Sequence, residues 1–452
     1  MTTATTASIF DLLPFAATRD QARALYQVQA FLDGDAPADC FILRGCAGTG
    51  KTSMLKAVVD YLAQQQMPHF LMAPTGRAAK VLSQKTNMLA STVHHVIYTP
   101  TEDPNTGTVI MRKRANDSTA VTVFVVDEAS MISDQRQADG DFQTPNSLLF
   151  DLLDFVKQGN ARSKVIFVGD SYQLAPVSGE GFSPALDADY LCRQYKLRVQ
   201  TEELREVMRQ VGDSPVLRLA TDVRERSDRN MALDYGCIPA HTYFTMALKY
   251  YLSRFDANQP QRIGMIASSN KDVHFWNNCV RERLGLSGKL LSEGDLVVLH
   301  ESHFARERIL VKGEMAVVKA VSDSVEQRAG FHFMDAELEF TDAEGQRFLV
   351  STKVMLDTLP TEKGFIDREA FKTLKHDRMA KNTVYRDSQR SSDDPYMGAL
   401  RLRYGYALTC HKAQGGEWQE VIIHPYFQPT DYRYLYTAVT RARERVMTWN
   451  KK

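Results

Sequence analysis

Between an apolar run at residues 41–43 and a segment of helical spacing, "SMLKAVVDYL", the chain carries the octapeptide "GCAGTGKT" at residues 45–52. Gly45 opens it, Gly50 closes it, and Lys51 and Thr52 follow, which is the spacing of a phosphate-binding loop set between a strand and a helix. Glycines let backbone amides turn inward around phosphate oxygens at a helix N-terminus. Lys51 then reaches the outer phosphates, and the Thr52 hydroxyl stands where it can ligate magnesium. A chance glycine-rich turn would need neither flank. The loop therefore predicts an α/β fold that binds a nucleoside triphosphate, with Gly45, Ala47, Gly48, Thr49, Gly50, Lys51, Thr52 and Ser53 as its contacts.

Further apolar strands break into polar residues at their C-terminal ends: "HFLMAPTGRAAKVL" (69–82), "VTVFVVDEASMI" (121–132) and "SKVIFVGDSYQLAPV" (163–177). In a doubly wound parallel sheet such ends converge on the ligand crevice. After "VFVV", Asp127 can hold magnesium and Glu128 can orient and deprotonate the water that attacks the terminal phosphate. An acidic pair at a strand end is more often a solvated turn, but a phosphate loop upstream reverses that balance. Asp170 and Gln173 in "GDSYQLAP" lie where a group could sense the terminal phosphate.

Composition limits the remaining possibilities. Lys plus Arg (55) equals Asp plus Glu (55), so net charge points to no polyanion partner, although a local basic groove would be invisible in that sum. Six cysteines (Cys40, Cys46, Cys192, Cys237, Cys279 and Cys410) form no C-x-x-C pair, which argues against a structural metal site and fits reduced thiols in a cytosol-like compartment. No basic segment precedes an apolar run at the start, and no apolar run reaches membrane-spanning length. These features predict a soluble intracellular protein with no membrane partner.

Towards the C-terminus, "YALTCHKAQGGEWQEVII" (406–423) and "YLYTAVTRARERV" (434–446) again end apolar segments in polar groups, with Arg441 and Arg443 in "TRAR". An isolated arginine there is usually a surface ion pair. A nucleotide enzyme also needs positive charge at the transferring phosphate, which an arginine finger supplies when domains close; Arg209 in "EELREVMRQ" is a second candidate.

Taken in order, "GCAGTGKT", "APTGRAAK", "STVHH", "VVDEAS", "GDSYQLAP", "EVMRQ", "ALTCHKAQGGE" and "YTAVTRAR" resemble the motifs of superfamily one, subgroup B helicases, and most of all the RecD and Pif families and the phage Dda-like helicases. The joint order of eight motifs is far more specific than any one of them. The resemblance implies two RecA-like domains flanking an ATP cleft, with ATP and Mg2+ as cofactors. Gln21 in "TRDQARA" matches the glutamine that recognises adenine, and Lys51, Thr52, Asp127, Glu128, Gln173, Arg209, Gln210, Glu417 and Arg441 match ATP-site residues, Thr52 and Asp127 as the metal ligands. Pro74, Thr75, Gly76, Arg77, Thr92, His94, Thr409, His411 and Lys412 match motifs that face single-stranded DNA. Family contacts there run largely to phosphate, as suits a motor that slides without reading sequence.

The implied organisation places 1–94 and 123–186 in the first RecA-like domain and 187–292 and 397–452 in the second. A β-hairpin insertion at 95–122 holds "PNTG" as a turn and suits a pin that splits the duplex, although an ordinary surface hairpin reads the same way. A second insertion at 293–396 begins as short β-rich segments, similar to the SH3-like barrel of these helicases, and ends in the polar stretch "KHDRMAKNTVYRDSQRSSDDPYMG", a mobile or helical excursion without an assigned role. Tyr172, Phe182, Trp276 and Trp418 are candidate platforms for stacked bases, but aromatics are core residues far more often.

The function expected is an ATP-driven helicase that moves 5′ to 3′ on single-stranded DNA and opens duplex forks. It would be a stand-alone monomeric motor in a bacterial or phage-infected cell, with single-strand-binding or replisome proteins as candidate partners. A translocase that strips bound proteins or remodels RNA would use the same motor. A scaffold or ATP-gated clamp with decayed catalysis is the third reading, and intact Lys51, Glu128, Arg209 and Arg441 argue against it.

Overall fold

A computed structural model of the chain describes residues 8–34, 38–102, 109–136, 142–176, 181–208, 214–301, 303–305, 308–310, 312–342, 345–362, 366–425, 428 and 430–450. Two compact units emerge, Met1–Pro100 with Met111–Arg224, and Thr101–Ile110 with Glu225–Lys452.

The first unit is built on a six-stranded parallel sheet in the order Ala90–Thr92, His69–Ala73, Val123–Val126, Lys164–Gly169, Cys40–Gly45, Val199–Leu204. Its central strands are apolar at nearly every position because both faces are covered. Along Val123–Val126, Val123 and Val125 enter one core while Phe124 and Val126 enter the other. Helices Arg19–Asp33, Lys51–Gln64 and Gly76–Thr86 pack Leu25, Val58 and Leu82 on the first face, and Leu148–Gly159 packs Leu152 and Val156 on the second. Val199–Leu204 corrects the expected domain boundary at 186: it pairs with Cys40–Gly45, and the unit runs to Arg224. Its sequence, "VQTEEL", is half-exposed at five of six positions, as an edge strand can be.

Between "STVHH" and "VVDEAS" the arms of the expected hairpin are strands, Tyr98–Glu102 and Val109–Lys113, joined by Phe142–Gln143 in a three-stranded sheet. Residues 95–97 belong to the short helix Val93–Ile97 instead, and the "PNTG" turn lies outside the described residues.

The second unit holds a five-stranded parallel sheet in the order Ala240–His241, Ala442–Trp449, Trp418–Ile423, Ile263–Ala267, Ala407–Thr409. Beside it, Met315–Val321, Leu296–Leu299, Leu400–Tyr404, Arg347–Met355 and Phe331–Thr341 form a barrel, closed by pairing of the first with the last. Leu400–Tyr404 lies beyond the expected limit at 396: Leu400, Leu402 and Tyr404 point inward in a barrel strand that alternates buried and half-buried residues. The polar excursion is helical, at Arg368–Lys381 and Thr383–Ser388, and Leu374 and Tyr385 dock it against Phe331 and Phe333.

Where the chain enters and leaves the barrel, one buried knot joins it to the rest of the unit. Arg281 is paired to Asp295 at 2.8 Å, and Tyr406 donates its hydroxyl to the same carboxylate at 2.9 Å. The Arg281 guanidinium also lies over the Tyr404 ring. Among the described residues no helix is long and apolar enough to cross a membrane, and no group of three or more His, Cys, Asp or Glu side chains could hold a metal ion. All six cysteines are free.

Candidate nucleotide site and nucleic-acid interface

The phosphate loop turns at the end of Cys40–Gly45 and enters Lys51–Gln64. Gly48 and Gly50 have φ of 80° and 83°, a region that costs an L side chain dearly. A Cβ on Gly50 would stand 2.5 Å from Gln21 Nε2, and one on Gly45 2.7 Å from Thr49 Oγ1. Gln21 is fully buried; its Nε2 donates to Thr49 O at 2.9 Å and its Oε1 accepts from Thr18 N at 3.0 Å. Both ends of the carboxamide are thus engaged inside the protein, one on the loop and one on the cap of its own helix. Thr49 Oγ1 donates to Cys46 O at 2.8 Å, and Lys51 Nζ donates to Gly45 O at 2.5 Å and Cys46 O at 3.0 Å. Thr52 and Ser53 follow in the first turn of the helix, and Ala47 lies within the loop.

Asp127 and Glu128 leave the sheet at the end of Val123–Val126, where Glu128 takes φ 51° and ψ 36° and donates its amide to Asp127 Oδ1 at 2.9 Å. A left-handed glutamate stores strain at this position. Burial, and after it the neighbouring Glu128, push the Asp127 carboxyl up to about 6. A carboxylate held there gains from an incoming cation. At the end of Lys164–Gly169, buried Asp170 lies 3.7 Å from Lys51 Nζ and accepts the Tyr172 amide at 3.0 Å, while buried Gln173 donates its amide to Asp170 O at 3.2 Å. The sheet therefore brings Lys51, Asp127, Glu128, Asp170 and Gln173 to one edge, at the C-terminal ends of three strands.

Arg209 and Gln210 lie outside the described residues. The segment before them is fixed to the site by contacts that motif reading missed. Asp20 accepts the amides of Arg205 and Glu206 at 2.9 and 3.1 Å, and Met208 N donates to Gly48 O at 3.1 Å. Arg224, on helix Pro215–Asp228, lies with Nη1 2.7 Å from Cys46 Sγ, and Leu217 of the same helix backs Gly48. No sequence signal marks a helical Arg or Leu for such contacts.

Two of the predicted DNA-facing motifs are in the first unit, each at a strand end opening a helix. Thr75 accepts the Ala78 amide at 3.2 Å and caps Gly76–Thr86; Pro74 precedes it, and burial draws the Arg77 guanidinium down to about 10. Thr92 likewise accepts the His95 amide at 3.1 Å, and the His94 ring packs on Tyr98. The third motif is in the second unit, where Thr409 ends a strand and His411 and Lys412 are exposed on the short helix Cys410–Ala413. Also there, Arg441 is buried, donating Nε to Thr437 O at 3.2 Å and Nη1 to Gly416 O at 3.3 Å. Glu417 pairs with exposed Arg443 at 2.7 Å, which makes Arg443 the surface ion pair. Of the aromatic candidates, Trp276 and Trp418 are core residues at 1% and 3% exposure, and Phe182 packs edge-on against Tyr190.

Residues 17–238 match the AAA domain family, and 404–447 match the UvrD-like helicase C-terminal domain family. The chain is 27% identical over 416 residues to the ATP-dependent RecD2 DNA helicase of Deinococcus radiodurans, covering 89% of this chain and 46% of that protein. It is 25% identical over 276 residues to the ATP-dependent DNA helicase dda of phage T4, covering 59% of this chain and 57% of that one. It thus spans about half the length of these curated relatives. A Pif1 helicase from Bacteroides, solved in complex with ADP-AlF3 and ssDNA, has the same fold at a TM-score of 0.51 and 16% identity, covering 96% of this chain and 92% of that one. In motif order, relatives and fold the chain is similar to the RecD, Pif and Dda helicases of superfamily one, subgroup B.

Proposed function

We propose that the chain is an ATP-dependent DNA helicase that moves 5′ to 3′ along single-stranded DNA and opens duplex DNA. The observation that carries this reading is the meeting of Lys51, Asp127, Glu128, Asp170 and Gln173 at one sheet edge, behind a loop shaped by Gly48, Gly50 and Gln21. The names of the relatives, RecD2, Dda and Pif1, support the substrate. Lys51 exchanges its loop carbonyls for phosphate oxygens, and Glu128 orients the attacking water and accepts its proton. The Thr52 hydroxyl and the Asp127 carboxylate are oxygen donors suited to a hard cation, and their magnesium neutralises phosphate charge when bound. Arg209 and Arg441 are assigned to the charge that develops on the transferring phosphate, with Gln210 and Glu417 beside them in the ATP set.

Thr75, Thr92 and Thr409, with Pro74, Gly76, Arg77, His94, His411 and Lys412, are the residues proposed to hold the DNA backbone. The hairpin of Tyr98–Glu102 and Val109–Lys113 is proposed as the wedge at the fork. The chain acts as a monomer on this reading, with single-strand-binding or replisome proteins as partners. The test is ATP hydrolysis with and without single-stranded DNA, paired with strand displacement on duplexes tailed at the 5′ or the 3′ end. Stimulated hydrolysis with displacement from 5′ tails is expected; displacement from 3′ tails alone, or hydrolysis indifferent to DNA, overturns the proposal.

A further inference from the structure

Tyr98 opens the first arm of the hairpin and is only 1% exposed. Its hydroxyl donates to Asp151 Oδ2 at 2.7 Å, a carboxylate that is itself fully buried and also accepts Asn146 Nδ2 at 3.0 Å. The returning arm is bound to the same place. Arg114 Nε donates to Tyr98 O at 2.8 Å, Lys113 forms an ion pair with Asp154, and Asn116 Nδ2 donates to Phe155 O at 2.8 Å. Asp151, Asp154 and Phe155 sit three and four residues apart on helix Leu148–Gly159, hence on one face.

That helix is itself seated on the segment that follows the catalytic acids. Leu149 N donates to Ser133 O at 3.1 Å, and Ser147, which caps the helix, donates its hydroxyl to Asp134. Asp134 also accepts the hydroxyls of Tyr190 and Tyr195, each at 2.5 Å. A hydrogen bond to a buried carboxylate is stronger and less screened than one at the surface. Among the described residues, the contact of Tyr98 with Asp151 is buried, whereas those of Lys113, Arg114 and Asn116 are part-buried.

We infer that Tyr98 is a positioning residue for strand separation, fixing the root of the hairpin to helix Leu148–Gly159 through Asp151. The inference rests on the reading of the hairpin as the wedge. A wedge transmits force only as well as its root resists rotation, and a loosened root lets the motor advance on one strand while the fork recloses behind it. Tyr98 and Asp151 are not among the residues proposed to contact ATP or DNA, and a change that keeps the Tyr98 ring keeps its packing on His94, so loosening the anchor leaves hydrolysis in place.

Tyr98→Phe removes the hydroxyl and keeps the ring. Three quantities are measured on wild type and variant: DNA-stimulated ATP hydrolysis, base pairs opened per ATP, and amide hydrogen exchange across Tyr98–Glu102 and Val109–Lys113. The expected result is hydrolysis within about twofold of wild type, base pairs opened per ATP lower by about tenfold or more, the factor that a lost hydrogen bond to a carboxylate carries, and faster exchange in both arms. Lys113→Ala should move the same quantities in the same direction by less, because that pair is part-exposed. Unchanged coupling with unchanged exchange overturns the inference. Loss of hydrolysis together with unwinding overturns it too, since Tyr98 would then support the unit as a whole. If wild type hydrolyses ATP on DNA but opens no duplex, the wedge reading fails, and faster exchange in Tyr98→Phe still supports the anchor.

Discussion

Replacing Gly50 with Ala tests how the phosphate loop is held in shape. Gly50 has φ 83°, and its Cβ would stand 2.5 Å from Gln21 Nε2 and 3.0 Å from Met208 Sδ. The left-handed backbone costs an alanine roughly 1–2 kcal/mol. Pushing Gln21 aside breaks its 2.9 Å bond and leaves Thr49 O as a buried acceptor, which costs about 1–3 kcal/mol. The chain escapes both costs by leaving the binding conformation, which depletes the competent form and weakens apparent affinity by the same factor. At about 1.4 kcal/mol per tenfold, the low end of the sum already predicts roughly 30-fold weaker ATP binding. Gly34→Ala is the control: its φ is 89° with nothing within 4 Å of the added Cβ, so it carries the backbone cost alone. The assay is calorimetric ATP titration of both variants beside denaturant unfolding. Gly34→Ala should bind ATP as wild type does, and adding Gln21→Ala to Gly50→Ala should recover little, since the left-handed backbone and the unpaired Thr49 O both remain. If Gly50→Ala bound ATP within about threefold of wild type, the contact between Gln21 and the loop would not be what sets its shape.

Lys51→Ala should abolish ATP turnover, while Glu128→Gln should keep ATP bound and slow turnover by about 10²-fold or more; near-normal turnover in Glu128→Gln would remove Glu128 as the base. Arg441→Ala should slow turnover by roughly 10³-fold with much less change in ATP affinity, and a normal rate would reduce this residue to a local tie between Thr437 and Gly416. Asp127 is raised to about 6 from an ordinary 3.8, so its stabilising contribution is complete below pH 3.8 and lost as pH rises through about 6. Asp127→Asn, which cannot ionise, should therefore melt higher than wild type at about pH 8, gain less at about pH 5, and fail to turn over ATP. An equal shift at both pH values would show that the carboxylate charge is not the cause.

Where local chemistry dictates structure, the sequence was readable. "VFVV" and "GCAGTGKT" announce a buried strand and a strand-to-helix turn within a few residues, because a parallel strand covered on both faces must be apolar and a phosphate loop must be glycine-rich. The boundaries at 186 and 396 depended on distant partners instead. "VQTEEL" acquires its place only by pairing with Cys40–Gly45, and "LRLRY" becomes a barrel strand only by pairing with Leu296–Leu299 and Arg347–Met355. Polar Arg368–Lys381 shows no strong apolar stripe, and its docking rests on few side chains such as Leu374. In the site, the motif residues were legible as types. The contacts of Met208 and Arg224 with the loop were not, since each is an ordinary helix or loop residue until the chain has folded, and Gln21 was legible as a motif residue but not as a prop of the loop.

The knot of Arg281, Asp295, Tyr404 and Tyr406 closes the base of the barrel on both of its chain crossings. A module hung on two free linkers would melt by itself and swing under load. Here the strand Ala407–Thr409 begins at the residue after Tyr406, and Asn277 Oδ1 accepts the Ala407 amide at 2.9 Å, so barrel and parallel sheet share one stiff joint. Their amides should exchange as a single cooperative block. Strain placed on the barrel would then reach Thr409 without slack, as through a bracket rather than a hinge.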